Sequence, residues 1–402
     1  MRKCGCIISD QERAHADQRW RAAAFAAPST SERVLDTFLD VGVAIHFDID
    51  VKVLPLPTKD FAMYLVSNLN DVYQLRTDDY LYWSSLTIGS MSTAHGLPSQ
   101  VATAVHDFLH VPVALSPRIR FVLRQVAIRP NSTGTVVDPM NSAEVVDLKT
   151  RRLPYNPSLF NIWVTTLSNG LLGVAEFPFT ESFGTYGAMV DYRSTDPQLA
   201  GSTYQLFSYN RTMAHEVGHC MGLFHVFTNP NKMLTSGAGG ALPDAPDGDQ
   251  WHYGDGAEDT PRQQTPTSGD PLNEWDSYQD VYNDEGDVVA FVNVLDYTAD
   301  RSMMVLSANQ VRRMEFFFQN DVRERLVTDV TPQSTAIYDD LPPPPSADRV
   351  ELLVLGGDYV PPSGFQWNAS TVAGVTVACV LIVVAIIVII YFITLKRKNA
   401  IQ

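Results

Sequence analysis

Three segments of the chain carry an apolar residue at every second position: Val41–Ile49, Ile119–Leu123 and Phe160–Val164. Because alternate side chains of an extended strand point to the same face, each segment is predicted to form a half-buried β-strand. A fourth segment, Leu171–Phe177, has glycine near its start and is predicted to be an exposed hairpin or an edge strand.

Two helices are predicted from the spacing of apolar residues. The first follows Thr58 and would pack on the sheet through residues three or four apart, namely Phe61, Leu65, Leu69 and Val72. The second follows Ser307 and Gln310, which form a candidate capping box. Strands and helices in this order predict a mixed α/β domain.

An uninterrupted apolar run near the carboxy terminus predicts a transmembrane helix. The 24 residues from Val372 to Leu395 carry no charge, and as a helix they would span about 36 Å against a hydrocarbon core of about 30 Å. Three basic residues follow, so the positive-inside rule puts the tail in the cytoplasm and the preceding chain outside. Residues 1–30 hold no apolar run of the secretory kind, so a tail-anchored cytosolic protein is the alternative.

Composition divides the chain into five segments. The apolar run would make a lipid bilayer one partner of the protein. The segments are a region like a pro-segment (1–35), one globular domain (36–330), a proline-rich stalk (331–371), the transmembrane helix (372–395) and a basic tail (396–402). The prolines of the stalk favour an extended spacer over a packed structure.

The charge argues against a nucleic-acid-binding protein, and the cysteines argue against a disulfide-rich protein and a four-cysteine zinc site. The 45 acidic residues outnumber the 29 basic ones and leave a net charge of −16. Such a surface repels a phosphate backbone, which argues against a nucleic-acid partner. The four cysteines, Cys4, Cys6, Cys220 and Cys379, have the spacing of neither a disulfide framework nor a four-cysteine zinc site.

The residues for metal chemistry lie in one short segment, HEVGHCMGLFH, which begins at His215. On a helix His215 and His219 project from one face, so both imidazoles can bind one zinc ion. Gly222 lets the chain leave the helix and bring His225 round as a third ligand. Glu216 is predicted to take a proton from water at the open fourth position. The segment therefore predicts a hydrolytic zinc centre.

Other histidines and cysteines are not predicted to bind this metal. His106 and His110 have the same spacing, but Asp107 stands where a glutamate is needed and no third histidine or glycine turn follows. They are predicted to be ordinary helix or surface histidines. Cys220 is predicted to point away from the ligands as a small core residue.

The histidine motif resembles that of the metzincin clan of zinc endopeptidases, and further segments are similar to its pappalysin family. These are an edge-strand segment (Leu171–Pro178), a signature (Asp259–Pro261), a Met-turn segment (Asn293–Tyr297), and Gln310 with Arg313–Met314 in the closing helix. The resemblance implies a metzincin-like catalytic domain with a mixed twisted sheet, an active-site helix and an irregular lower subdomain. An extended peptide would add main-chain hydrogen bonds along the edge strand.

The resemblance also gives Tyr297 a role, because it matches the tyrosine that can stabilise the tetrahedral intermediate; a packed core tyrosine is the alternative. Two residues depart from the family pattern: Leu295 replaces the Met-turn methionine, and Ser302 stands where many members have cysteine. These departures motivate a competing hypothesis, a catalytically inactive binding or adhesion ectodomain. Retention of Glu216 and the three histidines argues against it.

Two features of the chain leave alternatives open. Asp244–Asp300 holds fifteen acidic residues and one basic residue, and is either a solvated loop or a calcium site with Asp255 and Asp259 as candidates. Either way it would attract a cationic peptide. Cys4 is either a latency switch that fills the open position of the zinc or a reactive or lipidated terminal thiol.

The patterns together predict a membrane-anchored zinc endopeptidase. Residues 2–5 resemble the start of family proproteins, which favours an extracellular or lumenal catalytic domain. Glycosylation sequons begin at Asn131, Asn210 and Asn368. Asn210 is predicted to cap the zinc helix, so the other two are the better acceptors.

Overall fold

The computed structural model describes residues 12–13, 15–20, 38–110, 113–129, 135–179, 186–227, 255–275, 280–322, 326 and 351–354. The chain divides into two units, Met1–Leu355 and Gly356–Gln402, and the described residues lie in the first. Cys4, Asn131, Asn368, the predicted transmembrane helix and the tail lie outside the described residues. Among those that are described, no helix combines the length and apolar character needed to cross a membrane.

A seven-stranded mixed sheet forms the frame of the first unit. Its strands are β1 (Leu39–Phe47), β2 (Ile119–Ile128), β3 (Val136–Val137), β4 (Phe160–Leu167), β5 (Gly173–Ala175), β6 (Gly187–Asp191) and β7 (Glu351–Val354). They lie in the order β5-β6-β4-β1-β2-β7, and β3 pairs with β4. The four central strands are parallel, whereas β5 and β7 are antiparallel to their neighbours. The three alternating segments are confirmed as the strands β1, β2 and β4, although β4 is buried on both faces rather than half-buried. The fourth is confirmed as an edge strand, β5.

The helices pack either on this sheet or in a second core of the domain. They are α1 (Thr58–Tyr73), α2 (Asp78–Ser84), α3 (Ile88–His95), α4 (Ser99–Leu109), α5 (Ser142–Asp147), α6 (Gly201–Tyr204), α7 (Arg211–Cys220) and α8 (Ala308–Phe317). The predicted first helix is α1. The predicted capping box of α8 is confirmed, since the side chains of Ser307 and Gln310 each accept a hydrogen bond from the other residue's backbone N–H.

The main core lies between the sheet, α1 and α7. Alternate residues of β1 point into it, and α7 contributes residues at helical spacing. The buried set includes Val43, Ile45, Phe47, Phe61, Leu65, Met213, Val217 and Cys220. Cys220 is fully buried, which confirms its prediction as a core residue. Because the apolar side of α7 packs in this core, the side chains on its opposite side are held in a fixed orientation.

The described residues between 255 and 307 form the lower part of the domain. They contain no α-helix and pair only through isolated β-bridges, and a 3₁₀ turn lies at Asp300–Ser302. Their apolar residues pack with α2, α3 and α4 in a separate core that includes Val289, Phe291 and Met304. This agrees with the irregular lower subdomain that the sequence predicts.

The first residues of α7 are capped from a distant part of the chain. Asn210 occupies the N-cap position with φ of 60°, but its side chain makes no capping hydrogen bond and instead donates from Nδ2 to Leu65 O at 3.1 Å. Asp300 Oδ2 accepts the backbone N–H groups of Tyr209 (2.8 Å) and Arg211 (3.1 Å). The prediction that Asn210 caps the helix is therefore wrong, because its side chain donates to α1 and accepts no hydrogen bond from the first turn of its own helix.

Asp300→Ala is expected to lower the free energy of unfolding by about 1 to 2 kcal/mol, the usual cost of losing a helix cap. Chemical denaturation of the two proteins measures this difference. Asp284→Ala removes an exposed aspartate from the same subdomain and serves as the control. Equal effects of the two substitutions would contradict the capping role of Asp300.

Candidate metal centre

Three histidine side chains converge at the end of α7. The Nε2 atoms of His215, His219 and His225 lie 3.1 Å from one another in all three pairs. His215 and His219 are fully buried, and His225 is half-buried. Among the described residues this is the group of His, Cys, Asp and Glu side chains that has the geometry to hold a metal ion.

Backbone carbonyls fix which nitrogen of two rings carries the proton. His215 Nδ1 lies 2.8 Å from Val294 O, and His219 Nδ1 lies 2.7 Å from Leu223 O. A carbonyl oxygen can only accept, so each Nδ1 must be the donor and each neutral ring keeps its lone pair at Nε2. Burial lowers the pKa of His219 to about 4, which keeps that ring neutral near pH 7. Lone pairs this close repel one another unless a cation lies between them.

The donor set fits zinc. Three nitrogens bound to one tetrahedral ion at about 2.0 to 2.1 Å would lie about 3.3 to 3.4 Å apart, and the observed 3.1 Å is within a small adjustment of this spacing. Carbonyls that accept from the second ring nitrogen are the usual partners of metal-binding histidines. The three residues predicted from the sequence as ligands are thus the three that the fold brings together.

The turn after α7 is a Schellman motif built on Gly222. Leu223 N donates to Gly218 O (3.0 Å) and Gly222 N donates to His219 O (2.9 Å), while Gly222 has φ of +87°. A Cβ added at Gly222 would also lie 2.6 Å from Cγ of Phe317. Only glycine suits this position, and the turn it allows returns the chain so that His225 reaches the other two rings.

Glu216 is buried beside the histidines and lies directly against the edge strand. Its side chain is 1% exposed, and a Cβ built at Gly173 of β5 would lie 2.5 Å from Glu216 Oε1. The missing side chain at Gly173 therefore makes the space that the carboxylate occupies. The sequence motif predicts the glutamate, whereas this glycine is recognisable as its partner only in the fold.

Tyr297 lies close to two of the three histidine rings. Its ring centroid is 5.1 Å from that of His225 and 5.8 Å from that of His215. Its backbone N–H donates to Asp296 Oδ1 at 2.7 Å, and Asp296 also accepts from Thr267 N at 3.0 Å. Burial raises the pKa of Asp296 to about 6. The buried aspartate thus fixes the backbone that carries Tyr297.

Leu295 fills the space beneath the zinc helix. It is fully buried, and a Cβ built at Gly218 would lie 3.3 Å from Leu295 Cδ2. Its N–H donates to Asn293 Oδ1 at 2.9 Å, and Asn293 is held by Gln310 through a 2.7 Å hydrogen bond. An apolar side chain of similar size to methionine therefore supports the helix at this point.

The two aspartates considered for calcium accept hydrogen bonds from donors of the protein itself. Asp255 accepts from Thr260 Oγ1 (2.7 Å) and Gln310 Nε2 (2.5 Å). Asp259 accepts from Ser307 Oγ at 2.6 Å and from the backbone of α8. Burial raises the pKa of Asp255 to about 6. These oxygens join the lower subdomain to the closing helix.

Three further residues have roles that differ from metal binding. His106 lies in α4 and His110 directly follows it; the His110 ring approaches two backbone carbonyls, His106 O at 2.6 Å and Ser84 O at 3.1 Å, as an ordinary helix-end histidine does. Ser302, which stands where the resemblance would place a cysteine, is buried and donates to Asp270 Oδ1 at 2.8 Å.

Comparison with known proteins identifies the region that contains this centre. The model of the family described as Pregnancy-associated plasma protein-A matches residues 156–319. An extracellular metalloprotease of Arthroderma benhamiae is 33% identical over 163 residues, which make up 40% of this chain and 48% of the relative. One from Colletotrichum graminicola is 30% identical over 162 residues, or 39% and 48% of the two chains. The chain thus spans about half the length of these curated relatives.

The fold has a counterpart among solved structures. Promirolysin of Tannerella forsythia matches 81% of this chain and 97% of that chain, with a TM-score of 0.55 and 21% identity. At this identity the likeness shows the fold alone, a mixed α/β fold like that of the metzincin mirolysin. The resemblance seen in the sequence is confirmed: residues 156–319 match the model of the pappalysin family of metallopeptidases, and the relatives that share this region are named metalloproteases.

Proposed function

We propose that the protein is a zinc endopeptidase that hydrolyses peptide bonds of proteins or peptides. The observation that carries the proposal is the convergence of three Nε2 atoms at 3.1 Å, with two tautomers fixed by carbonyls, beside a buried glutamate. The relatives named extracellular metalloproteases support the same chemistry here.

Zinc held by three imidazoles would supply a Lewis acid that polarises the peptide carbonyl and makes water more acidic. Glu216 is the proposed general base. Its carboxylate accepts a proton from water as the water oxygen bonds to the carbonyl carbon, and passes this proton to the leaving amine as the C–N bond breaks. Because Gly173 lets β5 pass against this carboxylate, the base lies at the strand along which the peptide would run.

Tyr297 is proposed to stabilise the transition state. The half-buried ring lies next to His215 and His225, where its hydroxyl can donate a hydrogen bond to the oxyanion of the tetrahedral intermediate. A peptide in extended conformation would pair with β5, the last strand at one end of the sheet.

The substrate is proposed to be a protein or peptide, with a preference for cationic segments. The fifteen acidic residues of Asp244–Asp300 support this preference through long-range attraction. Zinc is the metal proposed, because three histidine nitrogens converge. Calcium is not proposed, since its candidate ligands Asp255 and Asp259 accept hydrogen bonds from protein donors. The hypothesis of an inactive adhesion scaffold finds no support, because Leu295 packs beneath the helix and the ligand set is retained.

We also propose that residues 372–395 anchor the protein in a bilayer, with the catalytic domain on the extracellular or lumenal side. The 24 uncharged residues followed by three basic ones support this topology, as do the relatives named extracellular. Asn131 and Asn368 would then be the glycan acceptors. Asn210 is fully buried and would not accept a glycan in the folded protein.

Glu216→Ala is expected to keep about one zinc per chain and to lose ~10² to 10⁴ in kcat, because the base is removed while the ligands remain. Metal analysis and cleavage of a fluorogenic peptide library measure the two effects. His219→Ala, the matched change of a ligand, should lose the zinc as well. Undiminished cleavage by Glu216→Ala would rule out its role as the base.

Gly173→Ala is expected to lower kcat by about 10²-fold without loss of zinc, since the added methyl displaces the Glu216 side chain and misplaced catalytic groups carry penalties of this size. Gly89→Ala is the control, because a Cβ at that position of α3 meets nothing nearer than 3.9 Å. An unchanged kcat in Gly173→Ala would show that β5 does not define the position of the carboxylate.

The topology is tested in cells that express the protein from its own gene. Protease added to intact cells should digest the catalytic domain, and glycosidase should increase its gel mobility, while a cytosolic marker stays intact. Protection of the domain until the membrane is permeabilised, with no glycan, would place it in the cytosol.

A further inference from the structure

The described N-terminal residues pack behind the turn that carries His225. Ala16 is fully buried and Trp20 is 8% exposed, in a cluster with Phe177, Phe224 and Phe317. Phe224 immediately precedes His225, and Phe317 is the side chain that a Cβ at Gly222 would meet. The N-terminal segment therefore packs against the turn Gly222–His225, called the zinc turn below, although the two are about 200 residues apart in the chain.

Two ion pairs hold this segment in place. Arg19 donates from both terminal nitrogens to Asp321, at 2.8 and 3.0 Å. Asp17 Oδ1 accepts from Arg313 Nη1 at 2.6 Å. The Arg313 side chain is 1% exposed and that of Asp17 is 21% exposed. The second pair thus joins an almost fully buried guanidinium to a carboxylate supplied by the N-terminal segment.

Arg313 also contacts the zinc turn itself. Its Nε donates to Gly222 O at 2.8 Å, and its guanidinium lies 4.3 Å from the centre of the Phe224 ring. The next carbonyl along the chain, Leu223 O, accepts from His219 Nδ1 at 2.7 Å. The turn that Arg313 holds therefore orients one proposed ligand, His219, and carries another.

We propose that Asp17 is a positioning residue for the metal centre: as the counter-ion of Arg313, it keeps the guanidinium on the Gly222 carbonyl and thereby holds the zinc turn. The planar fork of arginine reaches both acceptors at once. A buried guanidinium without its carboxylate is strongly disfavoured. Without Asp17, the guanidinium of Arg313 is better solvated if it moves towards water, and the Gly222 carbonyl then loses its hydrogen-bond donor.

This inference rests on the proposed zinc site and gives the N-terminal segment a definite effect on it. The segment strengthens zinc binding by restricting the turn to the conformation in which His219 and His225 point at the same ion. A Cys4 thiolate that filled the open position of the zinc would act as a further ligand, whereas Asp17 acts only through Arg313 and the turn.

The test compares zinc dissociation constants of full-length variants by competition with a chromophoric chelator. Asp17→Asn is expected to weaken zinc binding about tenfold, the lower end of what loss of an outer-shell partner costs. Asp17→Glu keeps the charge and should restore most of the affinity. Asp321→Asn is the matched control, because it breaks the ion pair with Arg19 of the same segment and leaves the hydrogen bond to Gly222 intact. Since this pair is partly exposed, its loss should change the zinc dissociation constant by less than about threefold.

Unchanged zinc affinity in Asp17→Asn would overturn the proposal, and so would equal weakening by Asp17→Asn and Asp321→Asn. Circular dichroism of each variant without metal checks that it folds. Should Asp17→Asn fail to fold, Arg313→Lys tests the same pair from the other side, since lysine keeps the charge but cannot serve both acceptors; unchanged affinity there would also overturn it. A wild-type protein that binds no zinc would instead contradict the proposed function.

Discussion

Two backbone carbonyls determine what the histidines of this protein can do. Val294 O and Leu223 O accept the Nδ1 protons of His215 and His219, which directs both Nε2 lone pairs to a point that His225 also faces. Three such nitrogens at 3.1 Å are unfavourable without a cation. The surrounding structure keeps these carbonyls and the helix in register, so that the ligands are arranged before the metal arrives.

The supports come from parts of the chain that are far apart in sequence. Asp300 caps the start of α7, Leu295 packs beneath its middle, and Arg313 holds the carbonyl of Gly222 where the helix ends. Each contact acts on the backbone or on packed side chains rather than on a mobile loop. A site built in this way loses little entropy when it binds metal and substrate, which is the physical advantage of preorganisation.

The sequence predicts the parts of the site that depend on local spacing. Four features follow from local patterns: the histidine motif, the glycine turn, the edge strand and the capping box at Ser307. The residues that define each of them lie within about a dozen positions. The contacts of Gly173 with Glu216, of Asp300 with α7 and of Asp17 with Arg313 join distant segments, and no local pattern reveals them. Asn210 is misassigned for a related reason, since the capping rule assumes that its side chain faces its own helix.

These three imidazoles are proposed to form one zinc site through their Nε2 atoms. X-ray absorption at the zinc edge of the purified protein tests this coordination. We expect bound zinc with three imidazole nitrogens at about 2.0 to 2.1 Å. A first shell with fewer than three imidazoles, or dominated by sulfur at about 2.3 Å, would contradict it.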